Sequence, residues 1–376
     1  MTAPRSPHRA WIEVDHDAIR HNLDALRRLA GGVEVIGVVK ANAYGHGAIS
    51  VSRTLKAEGV QRLAVATVDE AIELRAAGFD GSILLLWGIG PAEAAAVLDH
   101  RLEATVYDER GISLLDSAAA ADRSRAAVHL KLDSGLGRQG AQAETAVALA
   151  ASIARSTHLE LAGTFSHLAV PGEDDAFTEV QIVRLAQLLD AMRSAGIDPG
   201  VVHVSATGGI LAGAGSFADA VRPGLGLFGL IPAWAADADP GLRPALSLKA
   251  LPLRLHDVAH GDGIGYGLRF RATRPTRIAT LGIGYGDGWP RLHANNGWAL
   301  VRGVRAPIVG AVSMDGLTVD VTEVDGVTYA DEFALIGAQE GARITADEVA
   351  TERRTINYEV TTALRDRLPR LDLGIG

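Results

Sequence analysis

A lysine stands at the end of the first long apolar run of this sequence, in the stretch VVKANAYGHG (38–47). Small and aromatic residues follow it at once, so the chain must turn directly beside the amine. A lysine amine in a partly apolar and cationic environment has a lowered pKa, and the neutral amine can take up a proton or form a Schiff base. Lys40 is therefore the first candidate for a reactive group.

Other reactive side chains follow later apolar runs in the same way. If these runs are parallel barrel strands, their carboxyl ends meet at one rim, where the catalytic groups of such barrels lie. Lys131 and Arg138 belong to the fifth run and its loop, and three more follow or end the next runs: His167, Thr207 and Arg222. Any one of these positions is unremarkable, but together they predict a polar site at that rim.

Eight short apolar runs would form the strands that position these groups. They are VEVIGVV (33–39), RLAVA (62–66), ILLLW (83–87), LEATV (102–106), AVHLKL (127–132), LAGTFSH (161–167), VVHVS (201–205) and DAVR (219–222). Helix-like segments separate them, and the first run is preceded by a predicted helix over 15–30 with its apolar face formed by Ile19, Leu23, Leu26 and Leu29.

Continuous apolar strands are typical of a parallel sheet that is covered on both faces. Eight βα units of this length predict a (β/α)8 TIM barrel in the α/β class. A doubly wound open sheet is the competing interpretation. Such a sheet usually carries a GxGxxG turn after its first strand, and VVKANAYGHG does not match that pattern.

Beyond residue 232 the pattern changes to alternating apolar and polar residues, punctuated by glycine and proline. This alternation predicts β structure. We therefore expect two domains, a barrel over 10–232 and a mostly β C-terminal domain over 233–376. The segment AWIEVD (10–15) is expected to be an additional strand that joins the β domain.

Composition narrows the class of protein. The 376 residues carry a formal net charge of −9, which argues against nucleic acid or an anionic membrane as a partner. The sequence has no cysteine, so disulfides, thiolate metal sites and thiol nucleophiles are excluded, and no other metal site is predicted. No secretory signal or membrane span is visible. We expect a cytoplasmic enzyme.

Two glycine-rich stretches follow the seventh and eighth runs, GGILAGAG (208–215) and RPGLG (222–226). Glycines there can expose backbone N–H groups to a phosphate, and many TIM barrels bind phosphate at this place. Simple turns are the alternative interpretation. A Schiff-base lysine opposite a phosphate site is the arrangement expected for pyridoxal 5'-phosphate (PLP).

The stretches that carry these residues resemble the alanine racemase family. VVKANAYGHG is similar to its cofactor-lysine motif, and further similar segments follow in family order to the C-terminus: LKLDSGLGRQG, TFSHLA, VRPGLGLFGL, GIGYGLRFRA, IGYGDGWPR, VGAVSMD and TINYEV. The resemblance implies a barrel with a β domain, PLP as the cofactor, and an isomerase that racemises alanine. It also implies a homodimer with shared active sites and, in a bacterium, a supply of D-alanine for the cell wall.

The resemblance implies a role for each matching residue. Lys40 would bind PLP and act as the base for D-alanine, and Tyr266, reaching the site from the other subunit, would act as the base for L-alanine. Arg222 is similar to the arginine that hydrogen-bonds the pyridine nitrogen. Arg138 resembles a residue near the phenolic oxygen and the substrate carboxylate, and Lys131 matches a lysine that is often carbamylated and positions that arginine.

The resemblance also implies a set of supporting residues. His167 matches a histidine that supports the tyrosine and arginine network. The residues that match the phosphate-binding shell are Tyr44, Thr207, Gly224, Leu225 and Tyr358. Those that match pocket residues given by the partner subunit are Tyr285, Met314 and Asp315. We expect His46, although it lies within the lysine motif, to be an ordinary loop residue.

Racemisation requires these residue types. A proton leaves one face of Cα and one returns to the other, so two bases, Lys40 and Tyr266, must oppose each other. Arginine rarely gives up a proton, so Arg222 would leave the pyridine nitrogen unprotonated and the ring a weaker electron sink, which limits transamination. Tyr266 must react as a phenolate, and we expect positive charge on Arg138 and His167 to lower its pKa.

Several positions depart from the family pattern. The usual Asn-Ser pair is Ala206-Thr207 here, and Pro171-Gly172 stands where an acidic residue is common. Three further differences are Ala311 for an arginine, Ser313 for a cysteine and Phe228 for a tyrosine. These changes lie around the phosphate shell and the substrate corridor. We therefore expect racemisation with an altered entrance, and either a broader substrate range or slow turnover of alanine.

Three alternatives have to be weighed. PLP-dependent amino-acid decarboxylases pair a similar barrel with a β domain, but they commonly use a cysteine that this chain lacks. Non-catalytic PLP homeostasis proteins resemble the barrel alone. A racemase fold kept as a PLP-binding module with little activity is the third alternative.

Overall fold

The structure, a computed structural model, describes residues 8–238 and 240–375. Contacts between residues divide the chain into two units. One unit is Ala18–Arg243, and the other combines the described residues up to Asp17 with those from Pro244 onward. The sequence places the division at residue 232, whereas the contacts place it after Arg243. The first strand, β1 (Ala10–Asp15), belongs to the second unit.

The first unit is a barrel of eight parallel strands. These are β2 (Glu34–Val38), β3 (Arg62–Val65), β4 (Ser82–Leu85), β5 (Ala104–Val106), β6 (Ala126–Lys131), β7 (Leu159–Phe165), β8 (Val201–Ala206) and β9 (Ala220–Arg222). They pair in the order β4-β3-β2-β9-β8-β7-β6-β5, and a parallel bridge between Leu84 and Glu103 joins the two outer strands. The predicted TIM-like barrel is confirmed, and the open-sheet alternative was wrong.

Helices alternate with these strands. They are α1 (His16–Leu29), the one-turn segment α2 (Lys40–Tyr44), α3 (Ala48–Ala57), α4 (Val68–Ala76), α5 (Ala94–Asp99), α6 (Glu109–Asp122), α7 (Ala143–Arg155), α8 (Asp175–Ser194) and α9 (Thr207–Leu211). Apolar side chains of β2, β3, β4 and β9 form a common core cluster that consists of Ile36, Val38, Ala64, Leu84 and Ala220. This core holds the carboxyl ends of the strands in place.

The apolar face of α1 is shorter than the sequence predicts. Ile19, Leu23 and Leu26 are fully buried, but Leu29 is 50% exposed. Ten residues after Ile19, a side chain points about 80° away from the direction of Ile19, because each helical residue turns the chain by about 100°. The assignment of Leu29 to the buried face was therefore wrong.

The second unit is mostly β. After β1 its strands are β10 (Leu246–Ala250), β11 (Pro252–Val258), β12 (Gly263–Ile264), β13 (Phe270–Arg271), β14 (Thr276–Leu281), β15 (Trp298–Val301), β16 (Val304–Val309), β17 (Leu317–Asp320), β18 (Phe333–Gln339), β19 (Ala342–Ile344) and β20 (Arg370–Leu373). A large sheet runs β11-β14-β17-β16-β15-β18-β10-β1-β20. Strand β1 pairs antiparallel with β10 and parallel with β20, so the residues before the barrel complete this sheet.

Two helices interrupt the β pattern near the C-terminus, α10 (Ala346–Arg353) and α11 (Asn357–Thr362). Thr345 caps α10, because its hydroxyl accepts a hydrogen bond from the backbone N–H of Glu348 at 3.1 Å. A Thr-x-x-Glu sequence of this kind is a helix-start signature. Among the described residues, no helix has the length and apolarity needed to cross a bilayer.

Candidate active site

Lys40 opens a left-handed turn at the carboxyl end of β2. The φ angles of Ala41–Tyr44 lie between 52° and 54°, a conformation that costs energy in residues with a side chain. Side-chain acceptors stabilise the turn. Glu70 Oε1 accepts a hydrogen bond from the N–H of Ala41 at 2.6 Å, and Asn42 Oδ1 accepts one from the next helix at 2.7 Å. Lys40 therefore stands where β2 has ended and the turn begins.

Glu70 is a supporting residue that the sequence analysis missed. Its second oxygen, Oε2, accepts from the N–H of Thr67 at 3.2 Å, and Thr67 Oγ1 accepts from the N–H of Glu70 at 3.3 Å. This is a capping box, and the letters TVDE carry its signature. The signature predicts the start of α4, but no sequence pattern indicates that the same carboxylate reaches Ala41.

Four cationic side chains lie close together at the barrel rim, namely Lys40, Lys131, Arg138 and Arg222. Burial and the positive charges of Arg138 and Arg222 lower the pKa of Lys40, while the negative charge of Glu70 partly opposes this. The same causes, burial first, lower the pKa of Lys131 to about 8. The lowered pKa that the sequence predicts for Lys40 is confirmed.

Arg138 and Lys131 have further contacts at this rim. The guanidinium of Arg138 lies over the ring of Trp87, 5.2 Å from its centroid, which is a cation–π contact. Lys131 Nζ donates a hydrogen bond to Gln139 Oε1 at 3.0 Å and lies 5.5 Å from the centroid of Phe165. Both cations therefore contact aromatic and amide neighbours in the barrel.

Arg222, the last residue of β9, is buried among acceptors. Its Nη1 lies 2.6 Å from His203 Nδ1, and its Nη2 donates to the carbonyl oxygens of Ser166 and Val204 at 2.8 and 2.9 Å. His167 Nδ1 lies 3.2 Å from the same Nη2. Burial lowers the pKa of Arg222 to about 9, so the guanidinium stays charged at neutral pH.

His167 follows β7 and is neutral in this environment. Burial, the charge of Arg222 and then that of Arg138 lower the pKa of His167 to about 3. The expectation that His167 supplies positive charge to a tyrosine was therefore wrong. A ring enclosed among cations cannot take up another proton at neutral pH, and Nδ1 of His167 instead faces a donor of Arg222.

Replacing His167 by glutamine is expected to make folding less sensitive to acid. The pKa of His167 in the fold is about 3 against an ordinary 6.5, so its stabilising contribution is complete above pH 6.5 and is lost as the pH falls towards 3. From about pH 7.5 to about pH 5, the wild type should lose about 2 kcal/mol more unfolding free energy than His167→Gln. Urea unfolding of the PLP-free protein measures this difference. The exposed His260 provides the control, since His260→Gln should behave as the wild type; equal losses in all three proteins would refute the prediction.

A small cradle lies beside these cations, between the lysine turn and the glycines that follow β9. Thr207 Oγ1 accepts hydrogen bonds from the N–H groups of Gly224 at 3.3 Å and Gly226 at 3.0 Å. A Cβ on Gly224 would lie 2.5 Å from Tyr44 Oη. Hydroxyls and backbone N–H groups are the donors that a phosphate requires. The donor set therefore fits the phosphate of PLP, and the neighbouring amine of Lys40 fits its aldehyde.

His46 has a packing role that the sequence analysis did not predict. It lies in the turn after α2, but it is fully buried, and its ring stacks on Phe228 with 4.3 Å between centroids. Phe228 also contacts the ring of Tyr44, 5.4 Å between centroids. Phe228, which replaces a tyrosine of the family pattern, thus supports the lysine turn by packing.

Replacing Gly224 by alanine is expected to weaken PLP binding by about 10- to 100-fold. The added methyl group would force neighbouring groups to shift, and overpacking of this kind costs about 1–3 kcal/mol. The added Cβ would meet Tyr44 Oη at 2.5 Å. Titration of the PLP-free protein with PLP, followed by tyrosine and tryptophan fluorescence, measures the affinity. Gly90→Ala is the matched control, because its Cβ would meet Glu93 Oε2 only at 3.5 Å. An unchanged affinity for Gly224→Ala would rule out this cradle as the phosphate site.

Leu225 is buried at the start of the short turn after β9, and the remaining predicted residues lie in the β unit. Tyr266 opens a short 3-10 turn, Tyr266–Leu268, and is 73% exposed. The N–H of Tyr285 donates to the carbonyl of Ser313 at 3.0 Å, which places Tyr285 beside the exposed Met314. Asp315 pairs with Arg367 at 2.6 Å. Tyr358 lies in α11.

The β unit also contains an open pocket beside Tyr285, with a volume of about 520 Å³. Its lining includes four arginines and one glutamate, which are Arg291, Arg353, Arg354, Arg365 and Glu359. The excess of positive charge suits an anionic ligand such as a carboxylate. The predicted site residues thus form two groups, a cationic rim with its cradle in the barrel unit and an exposed tyrosine, methionine and aspartate group in the β unit.

Gly172, one of the departures from the family pattern, lies against an aromatic ring. Its φ is +80°, and a Cβ there would lie 2.5 Å from the ring of Trp234. An acidic side chain would therefore overlap Trp234 and would be strained in this backbone conformation. Pro171 lies next to Gly208, since a Cβ on that glycine would lie 3.3 Å from its ring. Within the part of the chain that the structure describes, no cluster of metal-binding side chains occurs.

Comparisons with known proteins cover nearly the whole chain. The sequence pattern of the alanine racemase N-terminal domain matches residues 14–232, and that of the C-terminal domain matches residues 245–372. The chain is 40% identical to the alanine racemase of Sorangium cellulosum, over 97% of this chain and 98% of that protein. It is 39% identical to alanine racemase 2 of Caldanaerobacter subterraneus, over 96% of this chain and 94% of that protein.

Solved structures agree with the sequence relatives. The alanine racemase of D-cycloserine-producing Streptomyces lavendulae superposes with a TM-score of 0.91 at 34% identity, and the two chains are covered to 99% and 98%. The alanine racemase of Bacillus anthracis with bound L-Ala-P gives 0.91 at 33% identity, with 99% of this chain and 96% of that chain covered. Since the family patterns span both units and these relatives match end to end, this chain belongs to the alanine racemase family.

Proposed function

We propose that this protein interconverts L-alanine and D-alanine with PLP as its cofactor. The observation that carries the proposal is Lys40, an amine whose pKa is lowered by burial, Arg138 and Arg222, in a turn whose Tyr44 hydroxyl approaches Gly224 beside Thr207. The family membership supports the reaction, and the Bacillus anthracis relative binds L-Ala-P. The same membership supports an isomerase whose product, in a bacterium, supplies D-alanine to the cell wall.

Each part of the barrel rim would hold one part of PLP. Lys40 would carry the aldehyde carbon, and Arg222 would contact the pyridine nitrogen with Arg138 and His167 beside it. The phosphate would be held by Tyr44, Thr207, Gly224, Leu225 and Tyr358. When bound, the cofactor withdraws electrons from the substrate Cα and so makes its proton easier to remove.

Two bases move the proton. Lys40 Nζ takes it from D-alanine and returns it there, and Tyr266 Oη does the same for L-alanine. His167 is neutral and acts through hydrogen bonding alone. Because Tyr266 is 73% exposed on its own chain, we propose that it completes the site of a second subunit in a homodimer.

Arg138 would hold the substrate carboxylate, with Tyr285, Met314 and Asp315 forming the rest of the pocket. We propose that Lys131 is carbamylated and positions Arg138. Carbamylation needs a neutral amine, and the pKa of about 8 leaves an appreciable neutral fraction of Lys131 near neutral pH. A carbamate on Lys131 would replace one of the four positive charges by a negative charge, which would offset the repulsion among the remaining three cations, Lys40, Arg138 and Arg222.

The altered corridor is proposed to broaden the substrate range or slow alanine turnover. Trp234 fills the space that an acid at position 172 would need, and Ala206 and Ala311 lack the polar groups common there. Specificity constants for alanine, serine and larger amino acids test this proposal. A strict preference for alanine at the rate of ordinary family members would refute it.

We propose that the barrel, 10–232 on the sequence division, binds the cofactor and that the β-rich part, 233–376, supplies the second base and the pocket. We also propose a cytoplasmic location, and the net charge of −9 argues against nucleic acid or an anionic membrane as a partner.

Exchange of the α-proton is the deciding experiment. The purified protein is incubated with PLP and single L-amino acids in heavy water, and NMR follows the loss of each α-proton signal. We expect exchange of alanine together with the formation of D-alanine. Exchange of another amino acid alone would refute alanine as substrate. Tight PLP binding without any exchange would refute racemisation and favour a PLP-binding module.

A further inference from the structure

Four buried side chains form a continuous hydrogen-bonded line through the barrel interior. Arg222 Nη1 lies 2.6 Å from His203 Nδ1, His203 Nε2 lies 3.0 Å from His129 Nδ1, and His129 Nε2 lies 3.0 Å from Glu103 Oε2. We call this line the barrel relay. It runs from Arg222 at the carboxyl end of β9 to Glu103, which precedes the amino end of β5.

Only one order of protons satisfies all three contacts. A guanidinium has donors only, so His203 Nδ1 must accept from Arg222. The ring proton of neutral His203 is then on Nε2 and is donated to His129 Nδ1. The ring proton of His129 is in turn on Nε2 and is donated to the carboxylate of Glu103. A doubly protonated His129 would force the proton of His203 onto Nδ1, directly against the N–H of Arg222.

The surroundings hold the rings in place. His129 and His203 are fully buried, and a Cβ on Gly163 would lie 2.5 Å from the ring of His129. Phe165 stacks on His203 with 4.7 Å between centroids. Neither ring can therefore turn to water for another partner, and a reversed proton order would leave buried donors facing donors.

The charges at the two ends support the same order. Burial and the charge of Arg222 lower the pKa of His203 well below its ordinary value, which keeps the ring neutral. Burial raises the pKa of Glu103, but the hydrogen bond from His129 and neighbouring positive charge, including that of Arg62, outweigh it and hold that pKa at about 2. Arg62 Nε lies 3.2 Å from Glu103 Oε2. The relay thus has a fixed anion at one end and a fixed cation at the other.

We propose that Glu103 is a positioning residue for Arg222. Its carboxylate, at the end of the barrel remote from Lys40, sets the proton order of both histidines, and His203 Nδ1 thereby remains the acceptor that orients the guanidinium. The consequence for the cofactor rests on the proposed function, in which Arg222 contacts the pyridine nitrogen and keeps it unprotonated. Loss of the relay would then increase transamination and slow racemisation.

The proton order is tested directly by NMR of protein labelled with ¹⁵N-histidine and free of cofactor. We expect His129 and His203, assigned by His129→Gln and His203→Gln, to carry their proton on Nε2 alone at neutral pH. Glu103→Gln keeps an acceptor and should preserve both signals, whereas Glu103→Leu should give mixed tautomers. A doubly protonated His129, or a proton on His203 Nδ1, in the wild type would overturn the proposal. This wild-type spectrum tests the proton order even if a Glu103 variant fails to fold.

The effect on Arg222 is tested with the loaded enzyme by counting pyruvate released per alanine racemised. Glu103→Leu should raise this ratio about tenfold, and Glu103→Gln should stay within about twofold of the wild type. Thr105→Val is the matched control, because Thr105 is buried two residues after Glu103 and donates to the carbonyl of Leu85 at 2.6 Å, outside the relay. Equal ratios in Glu103→Leu and Thr105→Val would overturn the positioning role. Absence of racemisation in the wild type would instead refute the proposed function and leave the NMR result to stand.

Discussion

Replacing Lys40 by alanine is expected to reduce racemisation at least about 10,000-fold in both directions, because it removes the covalent attachment and one of the two bases together. The physical basis is the lowered pKa of the Lys40 amine, which results from burial and from Arg138 and Arg222. Rates are measured from each enantiomer by circular dichroism. A second readout is independent of turnover: borohydride reduction should fix the cofactor on the peptide that contains Lys40 in the wild type, and not in the variant.

Lys56→Ala is the control for this experiment. Lys56 lies in the same unit but pairs with Asp80 at 2.6 Å, away from the rim. It should keep both the rate and the labelled peptide. If Lys40→Ala racemised alanine at a rate within about tenfold of the wild-type rate, or if the label were found on Lys131, the assignment of Lys40 as the attachment residue would be wrong.

Replacing Tyr266 by phenylalanine is expected to lower racemisation by about 100- to 10,000-fold, the usual contribution of one base. Because the two enantiomers have equal free energies, kcat/KM must fall equally in both directions. Proton exchange should not be symmetric. Lys40 can still remove and return a proton on the D face, so D-alanine should keep exchanging in heavy water while L-alanine stops. NMR of each enantiomer with the loaded variant measures this asymmetry.

Tyr329→Phe is the matched control, since Tyr329 is an exposed tyrosine of the same unit. It should exchange both enantiomers at the wild-type rate. PLP affinity should be unchanged in both tyrosine variants, because neither tyrosine belongs to the proposed phosphate shell. Continued exchange of L-alanine by Tyr266→Phe would show that another group serves as the L-face base.

The same two variants test the shared site. A mixture of Lys40→Ala and Tyr266→Phe subunits, dissociated and reassociated, contains dimers in which one of the two sites has both bases. Activity should recover to about a quarter of the wild-type value if each site uses Tyr266 from the other subunit. No recovery would mean that each chain completes its own site, and the proposed dimer role of Tyr266 would fail.

Much of the fold follows from local patterns. The eight apolar runs became β2–β9, because a strand covered on both faces must be apolar at every position. The alternation beyond residue 232 became a sheet for the corresponding reason, one face buried and one face open. Leu29 was wrongly assigned to the buried face of α1. Helical periodicity gives the direction of each side chain, but it does not give how far the neighbouring core extends along and around the helix. The helix α10 has a capping signal, Thr345 with Glu348, but that signal lies within a β-rich context, and α11 has no side-chain cap.

The site was less predictable than the fold. The order of strands placed Lys40, Lys131, His167 and Arg222 at one rim, since the carboxyl ends of parallel strands share an edge. The left-handed turn after Lys40 has no comparable signal, because its stability comes from Glu70, which is distant along the chain. The neutrality of His167 was also missed, since a histidine's charge depends on cations that only the fold brings near.

By itself, the sequence determined the succession of strands, the residue types available for chemistry and, through its motifs, membership of the alanine racemase family. These depend on local patterns and on the order of residues. Only the tertiary structure decided which groups are charged, how the lysine turn is held and how Glu103 connects to Arg222 through His129 and His203. The reason is that pKa values and hydrogen-bond partners depend on burial and on distances between residues remote in sequence, which no local pattern records.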